Sequence, residues 1–339
     1  MVINPVRSIL RAATRSPDEP LNILCAPTHE RFETGLAKTG HRFWAIRCPQ
    51  VKGWNQVYAP VPSNYVLLNP ERGENQIPPE VSFDLVLSQN KFGQYNILSE
   101  FAKQLHVPLI SLEHTLPVPT WPGRALEQLK AMKGHVNVFI SEFSRKAWGW
   151  AEDEADVVHH GVETGLFVPH NPVENRNATV LSVVNDWINR DIFCGYRLWA
   201  EASKGLPTVV VGDTPGLSKP AVDTADLVSK YNSSRVFLNT SLVSPIPTSL
   251  LEAMSCGCAV VSTATCMIPE IIKQGGNGFL SNDPAELKAF CSRLLSNRDL
   301  ARKMGQAARQ TIVERFGMDA FVGRWRQIFA GAAKITFVG

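Results

Sequence analysis

The chemistry of this chain gathers in Pro247-Thr-Ser-Leu-Leu-Glu252-Ala-Met-Ser-Cys-Gly257, which runs directly into the apolar segment Ala259–Ser262. A proline followed by Thr248 and Ser249 is helix-entry chemistry, with either hydroxyl suited to the N-cap, and Gly257 is a helix stop. The start of such a helix offers free backbone N–H groups and the positive end of a dipole, which suits a diphosphate. Glu252 falls about one turn further on. A helical Glu ordinarily sits on a solvated face. Set among Leu251, Ala253 and Met254 and followed by a buried strand, this one lines a pocket, where its carboxylate can accept hydrogen bonds from both hydroxyls of a ribose. Phosphate also calls for a cation. In Val183-Val-Asn185-Asp186-Trp187-Ile-Asn189-Arg190-Asp191, Arg190 is the candidate, its ordinary alternative being an ion pair with Asp191 or Asp186.

The elements that would hold these groups are short apolar runs alternating with helical stretches. In the first half, strands are expected at 21–26, 41–47, 84–88, 107–111 and 136–140, with helices near 30–38 and 96–105. Ser141-Glu-Phe-Ser reads as an N-cap with an acidic first turn. In the second half, strands at 178–184, 208–211, 236–238 and 259–262 alternate with helices. Such alternation points to parallel sheets covered by helices. The polar segment 167–178, with two prolines, separates two alternations. The expected division is 1–166, 167–315 and a closing helical segment 316–339 that packs back toward the first domain through Trp325. Two such sheets leave a cleft, with ligands beyond the carboxyl ends of the strands.

Composition bounds the remainder. The chain has 339 residues, 44% hydrophobic and 19% charged, with a net charge of +3. That length accommodates two α/β domains, and so small a charge does not by itself indicate a nucleic-acid binder. No apolar run approaches the ~18–20 residues of a membrane span. Arg7, Arg11 and Arg15 surround Ile9 and Leu10 without the apolar core of a secretory signal. A frayed or loosely helical terminus and a membrane-surface or phosphate-binding arm both remain open. Seven cysteines lie at 25, 48, 194, 256, 258, 266 and 291. They lack zinc spacing and read as small buried thiols in a reducing cytosol. His159 and His160, without a third ligand, read as hinge chemistry, not a metal site.

The 247–263 run closely resembles the donor-binding segment of retaining glycosyltransferases of the GT-B fold, of the family-four type. Gly276-Asn-Gly278-Phe extends the likeness, and His160-Gly-Val-Glu163 with Phe167 resembles the family's interdomain crossing. The resemblance implies two Rossmann-like domains with parallel sheets facing across a cleft. It implies a metal-independent transferase that requires no cofactor and moves a hexose from a UDP- or GDP-linked donor to a hydroxyl acceptor with retention. On the donor side it implies Arg190, Gly212 in the turn Val211-Gly-Asp-Thr-Pro-Gly216, Ser244, Thr248, Ser249 and Glu252. On the opposite wall it implies His114, in Ser111-Leu-Glu-His114-Thr, as the catalytic histidine near the sugar, where an imidazole stabilises developing charge. Glu113 beside it is an alternative acid, but neighbouring strand residues point to opposite faces. The acceptor side would be Thr28, His29, Glu30 and Arg31, with Thr28 as N-cap, together with Gln89 and Asn90. A cap followed by a solvated first turn is the plain alternative for that cluster.

Three departures stand out. Ser244 replaces an acidic residue, Thr265-Cys-Met-Ile replaces a glycine-bearing loop, and no Arg/Lys pair matches the family spacing. The expected acceptor is a carbohydrate or lipid-linked glycan in the cytoplasm. A phage-type enzyme acting on a hydroxymethylated DNA base and a non-catalytic binding module of the same fold are the alternatives.

Overall fold

The structure, a computed structural model, describes residues 5–16, 18–47, 53–56, 58–69, 71–72, 75–118 and 121–335; Cys48 lies outside them. The chain divides into two compact units, residues 1–159 with 321–339, and residues 160–320.

In the first unit the order is α1 (Pro5–Thr14), β1 (Asn22–Cys25), α2 (Glu30–Ala37), β2 (Arg42–Ile46), β3 (Tyr65–Leu68), β4 (Leu85–Ser88), α3 (Tyr95–Leu105), β5 (Leu109–Glu113), α4 (Gly123–Lys130), β6 (Val136–Phe139), α5 (Glu142–Ala147) and β7 (Asp156–Val157). The sheet runs β3-β2-β1-β4-β5-β6-β7, with every pairing parallel. β1 and β4 sit at its centre and are buried along their whole length, as a sheet covered on both faces requires. The Ser141 N-cap forms as its sequence indicates, accepting from the Ser144 N–H within a capping box.

The second unit holds β8 (Asn177–Val183), α6 (Asp191–Cys194), α7 (Tyr196–Ala202), β9 (Thr208–Val211), α8 (Thr224–Ser233), β10 (Ser234–Asn239), α9 (Thr248–Ser255), β11 (Ala259–Ser262), α10 (Ile268–Ile271), β12 (Phe279–Leu280), α11 (Pro284–Ser296) and α12 (Arg298–Arg315). Its parallel sheet runs β12-β11-β10-β8-β9. Trp187, Trp199, Leu238, Val261, Leu287 and Met304 are among the residues that fill one side of it. α13 (Met318–Ala332) follows, and from residue 321 it belongs to the first unit. There Trp325 is fully buried, Phe321 meets Phe32 edge-on, and Phe329 meets His41 and Phe43 edge-on.

The N-terminal arginines settle inward. α1 is a regular helix, and Arg11 and Arg15 both reach the buried carboxylate of Asp84, at 2.9 and 2.7 Å. Asp84 also accepts the Asn22 N–H at 2.7 Å, which ties α1 to the start of β1. All three terminal guanidinium groups are therefore engaged within the unit, Arg7 by donating to the Pro79 carbonyl.

Candidate active site

The second unit supplies the helix start that the sequence indicates, with one correction. α9 begins at Thr248, with Pro247 (φ −69, ψ 114) in the N-cap position and no side-chain cap. Neither Thr248 nor Ser249 is the N-cap: Pro247 already sets the entry geometry, so both hydroxyls fall inside the first turn. The first-turn N–H groups of α9 thus emerge without a side-chain acceptor, beside exposed Thr248 and half-buried Ser249.

Glu252 is not on a solvated face. It is 7% exposed, and the Tyr231 hydroxyl donates to its Oε2 at 2.9 Å. Tyr231 comes from the last turns of α8 and is itself held edge-on by Phe167, with centroids 6.2 Å apart. The Phe167 carbonyl accepts from Ser255 at 2.6 Å and from Arg309 at 2.9 Å, so the segment leading into this unit is fastened to the far end of α9. Arg176, 3% exposed, donates to the carbonyls of Tyr231 at 3.0 Å and Cys256 at 2.7 Å. A cation set against two helix C-terminal ends is favourable, and it fixes α8 relative to α9. Cys256 and Cys258 are completely buried. Burial pushes both thiols above their ordinary range, with Arg176 opposing it for each, so they are packing residues.

Gly212 closes the turn after β9. Its φ is +137, and a Cβ there would come within 1.9 Å of the Val184 carbonyl oxygen, so no other residue fits. The loops after β8 and β9 consequently touch: the Asp213 N–H donates to Asn185 at 2.8 Å, and the Trp187 N–H to Thr214 at 3.1 Å. Arg190 stands on this loop with an exposed side chain. Its suggested ion-pair partners are otherwise engaged, Asp191 by Arg197 at 3.3 Å and Asp186 by Asn189 at 2.7 Å. Ser244 is half-buried on the loop before α9. Thr265 donates to the Ser241 carbonyl at 2.7 Å and the Cys266 thiol to the Leu242 carbonyl at 3.6 Å, clamping the loop after β11 onto that one. Cys266 has φ +51, so a side-chain-bearing residue holds the left-handed conformation that glycine favours.

In the first unit, α2 begins at Glu30 with His29 at the N-cap. Thr28 is therefore not the cap. Its N–H and hydroxyl donate instead to the buried Glu33 carboxylate, at 2.8 and 3.3 Å. Glu33 also accepts from Tyr65 at 2.8 Å and from the Gln89 amide at 2.9 Å. Burial raises the Glu33 pKa against these donors. Gln89 is fully buried, with its amide committed to Glu33 and Ala26. Exposed His29 stacks near Tyr58, half-buried Glu30 accepts the Asn55 N–H at 2.8 Å, and Arg31 is half-buried. Asn90 folds back to accept the Phe92 N–H at 2.5 Å. His114 is half-buried beyond β5, with the Phe32 ring edge-on at 4.6 Å. Glu113 is 1% exposed and turned into the domain. Sequence reasoning missed Glu33 and Tyr231. A charge beside Phe32 and one turn before Leu36, on the apolar side of α2, was the available signal for Glu33. For Tyr231 there was none.

Known proteins share both the segment and the architecture. Residues 219–311 match the family described as Glycosyl transferases group 1. That group 1 segment contains Ser244, Thr248, Ser249 and Glu252 but neither Arg190 nor Gly212. Over 82 residues the chain is 34% identical to N-acetyl-alpha-D-glucosaminyl L-malate synthase of Bacillus anthracis, covering 24% of this chain and 22% of that protein. Over 208 residues it is 26% identical to alpha-maltose-1-phosphate synthase of Mycolicibacterium smegmatis, covering 48% and 53%. The chain thus spans between about a fifth and half of these curated relatives' lengths. Among solved structures, Anabaena Alr3699/HepE in complex with UDP and glucose superposes with a TM-score of 0.74 at 15% identity, covering 91% of this chain and 99% of that one. Sucrose-phosphate synthase of Thermosynechococcus elongatus gives 0.74 at 15%, covering 92% and 100%. These likenesses show the fold, two parallel α/β sheets of the GT-B type. Among the described residues no helix is long and apolar enough to cross a membrane.

Proposed function

We propose that the chain is a nucleotide-sugar-dependent glycosyltransferase that transfers a hexose, with retention, to a hydroxyl of a carbohydrate or lipid-linked glycan. The supporting observation is the uncapped start of α9 combined with buried Glu252 one turn along the same helix, inside the group 1 segment. The diphosphate takes the first-turn N–H groups and Arg190, while Glu252, held by Tyr231, takes the ribose hydroxyls. In the reaction the bond from the sugar C1 to the phosphate oxygen breaks and the nucleoside diphosphate leaves with the electron pair. The acceptor oxygen bonds to C1, and its proton passes to the departing diphosphate. His114 is the proposed catalytic side chain of the first unit, stabilising charge as it develops. Neutral Ser244 gives specific support to a second reading, a binding module of the same fold without turnover.

Thermal stabilisation by UDP-glucose, UDP-N-acetylglucosamine and GDP-mannose, measured alongside nucleotide release, tests both readings. One donor at 100 times its Kd is expected to add about 2.7 kcal/mol, and the shift is expected to vanish in Glu252→Ala. Stabilisation without release, even with glycan or hydroxymethylated DNA acceptors present, would favour the module. A shift that survives Glu252→Ala would overturn the assigned pocket.

A further inference from the structure

A second buried carboxylate, Glu113, surrounds His114 with constraints. Glu113 is 1% exposed and ends β5. Its Oε1 accepts both the N–H and the hydroxyl of Thr115, at 2.8 and 2.7 Å, and its Oε2 accepts the Lys91 N–H at 3.1 Å. The loops after β4 and β5 are thereby joined through one side chain, with His114 between the two anchored positions of the second loop. Trp148 fastens the other side of that peptide, its indole N–H donating to the Thr115 carbonyl at 2.9 Å. Lys91 completes the frame: its ammonium donates to the Met132 carbonyl and lies 5.8 Å from the Trp148 ring centroid and 5.9 Å from those of Tyr95 and Trp150.

A half-buried histidine on an unrestrained loop would sample many orientations. Here the backbone immediately on either side of it is hydrogen-bonded into the domain, and the ring packs against Phe32. A carboxyl group is well suited to this task, because its two oxygens together meet the Thr115 N–H, the Thr115 hydroxyl and the Lys91 N–H. Glutamine is not: one oxygen cannot replace two, and its NH2 would confront a backbone N–H.

We propose that Glu113 is the positioning residue for His114, acting through Thr115 and Lys91 without touching substrate. This rests on the catalytic role of His114 proposed above. The test is a double-mutant cycle of Glu113→Gln and His114→Ala, read as nucleotide release from the three donors named above. If Glu113 acts through His114, Glu113→Gln lowers kcat by about tenfold with KM changed by less than about twofold. In the His114→Ala background the same substitution costs less than about twofold. An equal loss in both backgrounds overturns the proposal, as does a change confined to KM. If Glu113→Gln does not fold, Thr115→Val removes one donor from the clamp and carries the same expectation, with Thr115→Ser restoring the rate. NMR of the His114 imidazole supplies a readout that needs no turnover. Its resonances and titration are expected to move in Glu113→Gln or Thr115→Val, and unchanged resonances overturn the proposal even if no donor is turned over. Wild-type protein that releases no nucleotide, with His114 resonances that do move, would instead count against the glycosyltransferase reading alone.

Discussion

The Tyr231 hydroxyl donates to Glu252 across 2.9 Å, and both side chains are almost wholly removed from water. The bond joins the end of α8 to the middle of α9 and aims the carboxylate assigned to the ribose. Tyr231→Phe keeps the ring against Phe167 and removes only the donor. Leaving a buried carboxylate short of one hydrogen bond costs about 1–3 kcal/mol. The expected result is a lower urea midpoint together with an affinity for UDP or GDP reduced by about tenfold in titration calorimetry, since 1.4 kcal/mol is a factor of about ten. Unchanged affinity would mean that Glu252 is aimed by the helix alone.

Asp84 gathers α1 onto the first unit. Its carboxylate takes Arg11, Arg15 and the Asn22 N–H together. Asp84→Asn replaces one acceptor with a donor and takes the shared anion from Arg15 and Arg11, the latter keeping its ion pair with Glu19 at 2.6 Å. Because both arginines retain some contact with water, the expected loss is modest, on the order of 1–2 kcal/mol. The sharper readout is local. Limited trypsin digestion is expected to cut after Arg11 and Arg15 in the variant well before it cuts the wild type, while the remainder of the unit stays intact.

The parts of the fold that were legible in the sequence are those in which burial is continuous. β1, β4 and β11 are buried along their whole length in the middle of sheets or next to it, and their places were clear. β3 was not: it is an edge strand whose Val66 and Leu67 are 36% and 39% exposed, so no pattern of burial marks it. The two-residue strands β7 and β12 are defined by pairing partners that no local stretch encodes. At the site, Glu252 was legible because its neighbours are apolar. The caps were misplaced at both loops because tertiary demands took the hydroxyls: Thr28 serves the buried Glu33, and Pro247 pre-empts Thr248. Partners distant in sequence, Tyr231 for Glu252 and Tyr65 for Glu33, come together only in three dimensions.

Gly212 is required by space as well as by conformation. A Cβ would sit 1.9 Å from the Val184 oxygen at a φ of +137, whereas Gly216 in the same turn has φ +81 with nothing within 4 Å. Gly212→Ala must push apart the loops after β8 and β9, the loops that carry Arg190. The expected loss is on the order of 4 kcal/mol, enough to unfold the second unit. Gly216→Ala is expected to cost only about 1–2 kcal/mol from backbone strain. Denaturant unfolding of both variants checks the contrast, and equal losses would show that conformation alone, not the close approach, constrains this turn.

Glu33 gives the stability of the protein a pH dependence whose sign follows from its burial. Desolvation raises its folded pKa above the ordinary value of 4.5, against hydrogen bonds from Thr28, Gln89 and Tyr65. Between that ordinary value and the raised one, the folded state holds more protons than the unfolded state, so stability is present at the acid end and declines as pH rises through the folded pKa. His41 acts with the opposite sign. Burial lowers its pKa from 6.5 to about 4, so its contribution is lost on acidification. Glu113 shares the sign of Glu33, again because burial raises its pKa. Comparing wild type with Glu33→Gln cancels what the two proteins have in common. Urea midpoints measured across the weakly acidic range up to neutrality are expected to show the wild type gaining on the variant as pH falls. The variant is expected to be less stable at neutrality as well, by about 1–3 kcal/mol, because its amide cannot accept from all the donors that converge on the carboxylate. A difference between the two proteins that is constant with pH would mean that Glu33 does not change its protonation over that range, and that its four-donor cage outweighs its burial.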